Sequence, residues 1–122
     1  MREVKRHHVA GVPETVRVFP EGDPGEGGAP MSYRLAVGVP GQEFRGSTTL
    51  KFQKGDPLKD PNGITNESLI ASIVDRLEQF QKGPFSCREN AIAITHLETA
   101  LLWLKKRTED RVARDVRGEQ KA

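Results

Sequence analysis

The chain contains one cysteine, Cys87, so no disulfide can form within it, and nothing in its composition points to an oxidising compartment. Long apolar runs are also missing. No stretch approaches the ~18 residues that a membrane-spanning helix requires, and the opening MREVKRHHVAGVP carries charges but no apolar signal-peptide core. A soluble, cytosolic protein is expected. Aromatic residues make up 6% and apolar residues 35% of the 122 positions, enough for one domain's worth of chain with a thin core. Thin cores are often completed by self-association. No GxxxxGK[ST] or GxGxxG segment occurs, and the glycine-rich loop from Gly22 to Gly28 is acidic, wrong for cradling phosphate. His7 and His8 would point to opposite faces of an extended chain, and no Cys/His/Asp cluster has metal-ligand spacing. Cys87 and His96 fall on opposite sides of one helix, which prevents them from pairing within a chain. No enzyme site, metal or cofactor is expected.

What is present divides in two. ETVRVF (Glu14 to Phe19) alternates, with Val16 and Val18 on one face, and PEGDPGEGGAP (Pro20 to Pro30) follows as a mobile loop. MSYRLAVGV (Met31 to Val39) puts Tyr33, Leu35, Val37 and Val39 together. Pro40 and Gly41 turn the chain into QEFRGSTTLKFQ, where Phe44, Thr48, Leu50 and Phe52 share a face if Gly46 bends the strand. These segments predict a small antiparallel sheet with one buried face over residues 1–61.

KGDPLKDPNG (Lys54 to Gly63) reads as loop, and residues 62–122 read as an antiparallel two-helix hairpin that mediates oligomerisation, giving an α+β protein overall. Thr65 fits the first helix cap, with Ile64 stapled to Leu69. Leu69, Ile73, Leu77 and Phe80 recur at helical spacing, widened by Ile70 and Val74. Gly83 suits a left-handed helix end and Pro84 prevents resumption. Ser86 with Glu89 matches a capping box for a second helix running to about Val116, roughly 45 Å.

The stripe of that second helix is Cys87, Asn90, Ile94, Leu97, Leu101, Leu104, Thr108, Arg111, apolar in the middle and polar at both ends. Polar ends of such a stripe either emerge into solvent or line a cavity, and periodicity alone does not choose. From Lys105 to Arg117 six cations stand against three anions, with Arg107, Arg111 and Arg114 close to one face. Such a row can hold a diphosphate or phosphodiester through charge-assisted hydrogen bonds, or can simply favour a helix carboxyl end and pair with Glu109 or Asp110. Phe80 and Phe85 flank the turn. Phe85 precedes the expected cap, and the position that would staple to it is Asn90, which leaves an aromatic ring near a carboxamide. That pair is suited to a purine as well as to a core edge.

The run from Asn62 to Gly118 resembles a helical hairpin found in bacteriophage proteins, most specifically in DRLEQFQKGPFSCRENAIAI, LETALLWL and RTEDR. With the strand-rich half in front, the chain is similar to the Thoeris anti-defence protein one family, whose hairpin is shared with anti-CBASS proteins. The resemblance implies a non-enzymatic sponge, acting in the cytoplasm of the infected bacterial host. Such a sponge sequesters a cyclic ADP-ribose isomer made by TIR-domain defence enzymes. It implies homodimers or homohexamers, and in some members a second site for cyclic oligonucleotides, di- or trinucleotides among them.

Carried over by residue, the resemblance has Phe80 stack on adenine, Asn90 bond the base or ribose, and Arg107 and Arg111 hold the diphosphate. Phe85, Arg88, Thr108 and Arg114 are additional ligand-binding candidates. Asn90 to Arg111 spans roughly 30 Å of helix, so one pocket needs the carboxyl end of a second subunit packed antiparallel, and two pockets follow by symmetry. The family's R-G-V-x-G-T ending is replaced here by Arg114-Asp115-Val116-Arg117-Gly118-Glu119. Asp115 and Glu119 would repel the phosphates of a cyclic trinucleotide. The rival function is a basic helical nucleic-acid-binding protein, against which the interspersed Glu109, Asp110 and Asp115 count.

Overall fold

The computed structural model describes residues 2–114. The chain divides into two compact units, Met1–Gly63 and Ile64–Ala122. The first holds three strands, β1 (Val16–Glu21), β2 (Ser32–Val37) and β3 (Gly46–Lys51), in one antiparallel sheet of order β1-β2-β3. The second holds two packed helices, α1 (Asn66–Lys82) and α2 (Arg88–Ala113). This is the expected α+β arrangement of sheet followed by helical hairpin.

The turn between β2 and β3 follows from two residues. Gln42 N–H donates to the Val39 carbonyl at 3.0 Å across Pro40-Gly41, and Gly41 has φ +83°. Proline presets the first central position of such a turn, and the positive φ at the second favours glycine. The strand β1 runs further than its alternation suggests. Pro20 and Glu21, expected in the loop, pair with Tyr33 and Ser32. Proline is tolerated there because β1 lies at the edge of the sheet.

The faces of the sheet differ from expectation. The alternating apolar set of Val16, Val18, Tyr33 and Leu35 is only half-buried, and Val37 and Val39 are exposed. The buried residues are Phe19 and Ala36, on the opposite face. Phe19 is enclosed there by guanidinium groups: Arg17 lies 5.1 Å and Arg34 4.9 Å from its ring centre. Phe44 joins this face, edge-on to Phe19 at 6.3 Å, instead of lining up with Thr48 and Leu50. The cause is a bulge. Gly46 pairs with Val37, yet Arg45 N–H also donates to the Val37 carbonyl at 2.8 Å, so two residues oppose one. One extra residue moves everything before it to the other side of the sheet. Phe52, beyond the bulge, stays on the expected face, edge-on to Tyr33 at 5.9 Å.

Residues 2–15 cover the outer edge of β1. Val4 N–H donates to the Val18 carbonyl at 2.9 Å, His7 Nε2 donates to the Val16 carbonyl at 2.8 Å, and Val16 N–H donates to Glu14 Oε1 at 2.9 Å. A turn closed by His8 N–H on the Lys5 carbonyl brings both histidines to one carboxylate, at 3.6 and 3.7 Å from Glu14. The expected divergence of His7 and His8 is therefore corrected: the chain is not extended at this point. Residues 53–63 form an ordered loop. Gln53 Oε1 accepts from the amides of Asn62 and Gly63, and Asn62 Oδ1 accepts from Lys54 N–H at 2.8 Å. A Cβ at Gly63 would lie 2.4 Å from the Phe52 carbonyl carbon, so no larger residue fits this closure.

Two carboxylates tie residues 2–15 to the sheet. The Arg17 hydrogen bond holds Glu3 below its ordinary value of 4.5, and the Val16 amide, then the nearby histidines, do the same for Glu14. A carboxylate with a depressed pKa in the folded state stabilises the fold above its unfolded value, and that stabilisation is lost as pH falls through the folded value. Urea midpoints of the sheet unit should thus decline below pH 4.5. In Glu3→Gln/Glu14→Gln the decline should be shallower, and the wild-type advantage at neutral pH should disappear in acid.

Candidate functional site

Helix α1 starts where Thr65 and Ser68 cap each other, each side chain bonding the other's backbone N–H at 3.0 Å. Its carboxyl end differs from expectation. Gly83 is the cap, but with φ −111° and ψ −166° it is extended, not left-handed, and its N–H reaches the Phe80 carbonyl at 3.1 Å. The start of α2 differs too: Cys87, not Ser86, is the cap, with no side-chain cap bond. The Gln81 carboxamide takes over, accepting from Cys87 N–H and donating to the Cys87 carbonyl, both at 3.0 Å. That two-pronged clamp across the turn holds the backbone of the cap residue itself, one position beyond Ser86. The end expected near Val116 lies outside the described residues, as do Asp115, Arg117 and Glu119.

The seam between the helices follows the expected stripe with two exceptions. From α1 it takes Leu69, Ile70, Val74, Leu77 and Phe80, while Ile73 is 42% exposed. From α2 it takes Asn90, Ile94, Leu97, Leu101, Leu104, Thr108 and Arg111, whereas Cys87 is exposed outside the helix. The polar ends of the stripe are therefore part of the contact between helices. At the turn, Phe80 and Asn90 are both half-buried. The Arg76 guanidinium lies 5.0 Å from the Phe80 ring centre, which covers one aromatic face with a cation. Asn90 Nδ2 reaches the Phe85 carbonyl only at 3.5 Å, a long bond that leaves the carboxamide nearly uncommitted. The Phe85 ring is 72% exposed, and Arg88, the first residue of α2, is exposed.

At the open end of the hairpin, Thr108 Oγ1 donates to Glu67 Oε2 at 2.9 Å, joining the last turns of α2 to the first turn of α1. Arg111 is buried, the only charged side chain so placed among the described residues. Arg107, one turn before it, is exposed, and Arg114 is the exposed carboxyl cap. Asp110 pairs with Lys106 at 3.0 Å. The eight candidates thus fall into two groups: Phe80, Phe85, Arg88 and Asn90 at the turn, and Arg107, Thr108, Arg111 and Arg114 at the open end. One chain does not bring the groups together.

Three further residues belong with these groups. Arg76 stands four positions before Phe80, a spacing that puts them on one helical face and was readable. Glu67 and Gln81 act across the hairpin, and only the pairing of the helices reveals them. The outward face of α2 is also informative. Ile92, Leu102 and Trp103 are 41%, 66% and 68% exposed. Between them the hydroxyls of Thr95 and Thr99 turn back to the carbonyls of Ala91 and Thr95 at 3.2 and 2.9 Å. Helical spacing puts these five residues on one side, so α2 carries a second stripe of low polarity that none of the described residues of its own unit covers.

A separate open groove of about 1020 Å³ lies in the sheet unit, with Lys5, His8, Glu14, Arg17, Gln42 and Phe44 among its walls. None of the expected site residues lines it, and its Arg17 is committed to Glu3 at 2.8 Å.

The Thr108–Glu67 bond has a measurable consequence. Thr108→Val keeps the shape but leaves the carboxylate without this donor, and should lower unfolding free energy by about 1–2 kcal/mol in urea titrations. Thr108→Ser should retain most of it.

Comparison with known proteins completes the description. The family described as Acb2/Tad1, hairpin domain, matches residues 48–109, about half of the chain. The chain is also similar to Thoeris anti-defense 1 of Bacillus phage SBSphiJ7, at 49% identity over 79 residues. That stretch covers 63% of this chain and 56% of the phage protein, so the match spans little more than half of the relative's length.

Proposed function

The chain belongs to the Acb2/Tad1 hairpin-domain family, and from that premise we propose that it is a phage anti-Thoeris protein that binds a cyclic ADP-ribose isomer and holds it intact. It lowers the free concentration of the defence signal in the infected host's cytoplasm and catalyses nothing. The observation that carries this reading is the way polar residues interrupt the helical seam at both ends while its middle stays apolar. Phe80, with Arg76 beneath one face, offers the other face to a purine. Asn90, held by only one long bond, has donor and acceptor left for the base or ribose. Arg107 and Arg111 supply fixed positive charge for a diphosphate.

Because the two groups lie roughly 30 Å apart along α2, the complete pocket is assembled from two chains. The low-polarity stripe of Ile92, Thr95, Thr99, Leu102 and Trp103 supports an antiparallel pairing of α2 with its copy. In that pairing each turn meets the other chain's open end, and twofold symmetry makes two pockets. Phe85, Arg88, Thr108 and Arg114 stand beside the four principal contacts and shape the rim. A sponge works by stoichiometry, so slow release matters more than fast capture. Nucleic-acid binding is the weaker reading, since Lys106 at the basic end is already paired with Asp110.

Calorimetric titration with the cyclic ADP-ribose isomer should give one site per chain, and the ligand released by heating should be chromatographically unchanged. Arg107→Ala, at an exposed position, should weaken binding at least tenfold, about 1.4 kcal/mol, without changing the mass of the oligomer. Absence of heat, or consumption of the ligand, would overturn the proposal.

A further inference from the structure

The start of α2 is held from outside the helix. Its cap residue, Cys87, makes no side-chain cap bond. The first bond within the helix, from Ala91 N–H to the Cys87 carbonyl, is long at 3.4 Å. A helix start without a side-chain cap is prone to fray, because its first N–H groups have no intrahelical partners. Gln81, in the last turn of α1, ties that cap down: its carboxamide accepts from Cys87 N–H and donates to the Cys87 carbonyl, both at 3.0 Å. Among the described residues, these two are the hydrogen bonds that join α1 to the cap of α2. Asn90 is the third residue of α2, inside the turn that would fray. Its own bond to the Phe85 carbonyl, at 3.5 Å, is too long to anchor it. Phe80 directly precedes Gln81 in the last turn of α1. One carboxamide therefore ties the turn that carries Asn90 to the turn that carries Phe80.

We propose that Gln81 is a positioning residue for the base-binding half of the ligand site, setting Asn90 relative to Phe80 without touching the ligand. This role rests on the reading of Phe80 and Asn90 as contacts to a cyclic ADP-ribose isomer. Stacking on a ring tolerates sliding in the plane of the base. A hydrogen bond from a carboxamide does not, since it weakens steeply once distance or angle departs from the narrow favourable range. Release of the α2 start therefore costs the ligand its bond to Asn90 before it costs the stack on Phe80. Holding both groups in place beforehand also spares the entropy of ordering the turn on binding, and the gain appears chiefly as slower release. The chemistry of the clamp is specific to glutamine. One planar group both accepts and donates. Glutamate in its place would still accept from Cys87 N–H, but its second oxygen would face the Cys87 carbonyl with no proton between them. The arginine half of the site lies at the other end of α2, so Gln81 has no means of placing it.

The test is a double-mutant cycle on the full chain, titrated at neutral pH with the cyclic ADP-ribose isomer. Gln81→Ala alone should weaken binding about tenfold, mostly through faster release, with the mass of the oligomer unchanged. With Asn90→Ala already in place, adding Gln81→Ala should cost less than about twofold, because no carboxamide is left to position. With Arg107→Ala in place it should cost the full tenfold again. Gln81→Glu, which keeps the acceptor and loses the donor, should follow Gln81→Ala in all three backgrounds, and it carries the cycle if Gln81→Ala does not fold by circular dichroism. A merely structural role predicts the same loss in the Asn90→Ala and Arg107→Ala backgrounds. Equal losses in the two, or an affinity unchanged by Gln81→Ala and Gln81→Glu, would overturn the Gln81 role while leaving the ligand reading standing. Absence of heat with the unsubstituted chain would overturn the ligand reading and this role with it.

Discussion

A helix advances about 1.5 Å per residue, and that fixed rise keeps Asn90 about 30 Å from Arg111 however the side chains turn. Most of what is distinctive in this protein depends on that separation. The seam of the hairpin runs between two cross-helix ties, the Gln81 clamp at one end and the Glu67–Thr108 bond at the other. On the proposed reading, a spacer with different chemistry at its two ends is half of a binding site, and an inverted copy completes it. The outward stripe of α2, with Trp103 and Leu102 largely in solvent, gives such a copy a surface to cover.

The core gives the same message by a different route. Among the described residues Phe19, Ala36 and Val74 are the buried apolar side chains, and Arg111 is buried beside them in rank. Three buried apolar side chains make a thin core, and on the proposed reading a second chain would add to it. The sheet compensates in part with cations. Arg17 and Arg34 enclose Phe19, and each is tied to a carboxylate, Glu3 or Glu21.

Much of the architecture is legible where it depends on neighbouring residues. The Thr65 cap, the Pro40-Gly41 turn and the alternating steps of the seam are all local, and all are present. What is not legible depends on counting or on partners. One inserted residue at Arg45-Gly46 carries Phe44 to the other face, and hydropathy alternation contains no mark of it. Gln81 finds the Cys87 backbone, and Glu67 finds Thr108, only after distant residues meet. Both ends of the site stand out as polar breaks in an apolar stripe. The nucleotide-holding role proposed for each end rests on the family likeness rather than on the breaks themselves.

A site shared between chains can be tested by mixing two defective ones. Asn90→Ala spoils every turn and Arg107→Ala every open end, so each homogeneous protein should bind the cyclic ADP-ribose isomer poorly. Unfolded together and refolded at equal amounts, the two should form mixed dimers in which one pocket has both halves intact. Calorimetry should then recover tight binding at roughly a quarter of the sites, the statistical share for a twofold assembly. If the mixture binds no better than its components, each pocket lies within one chain, and the split site is contradicted.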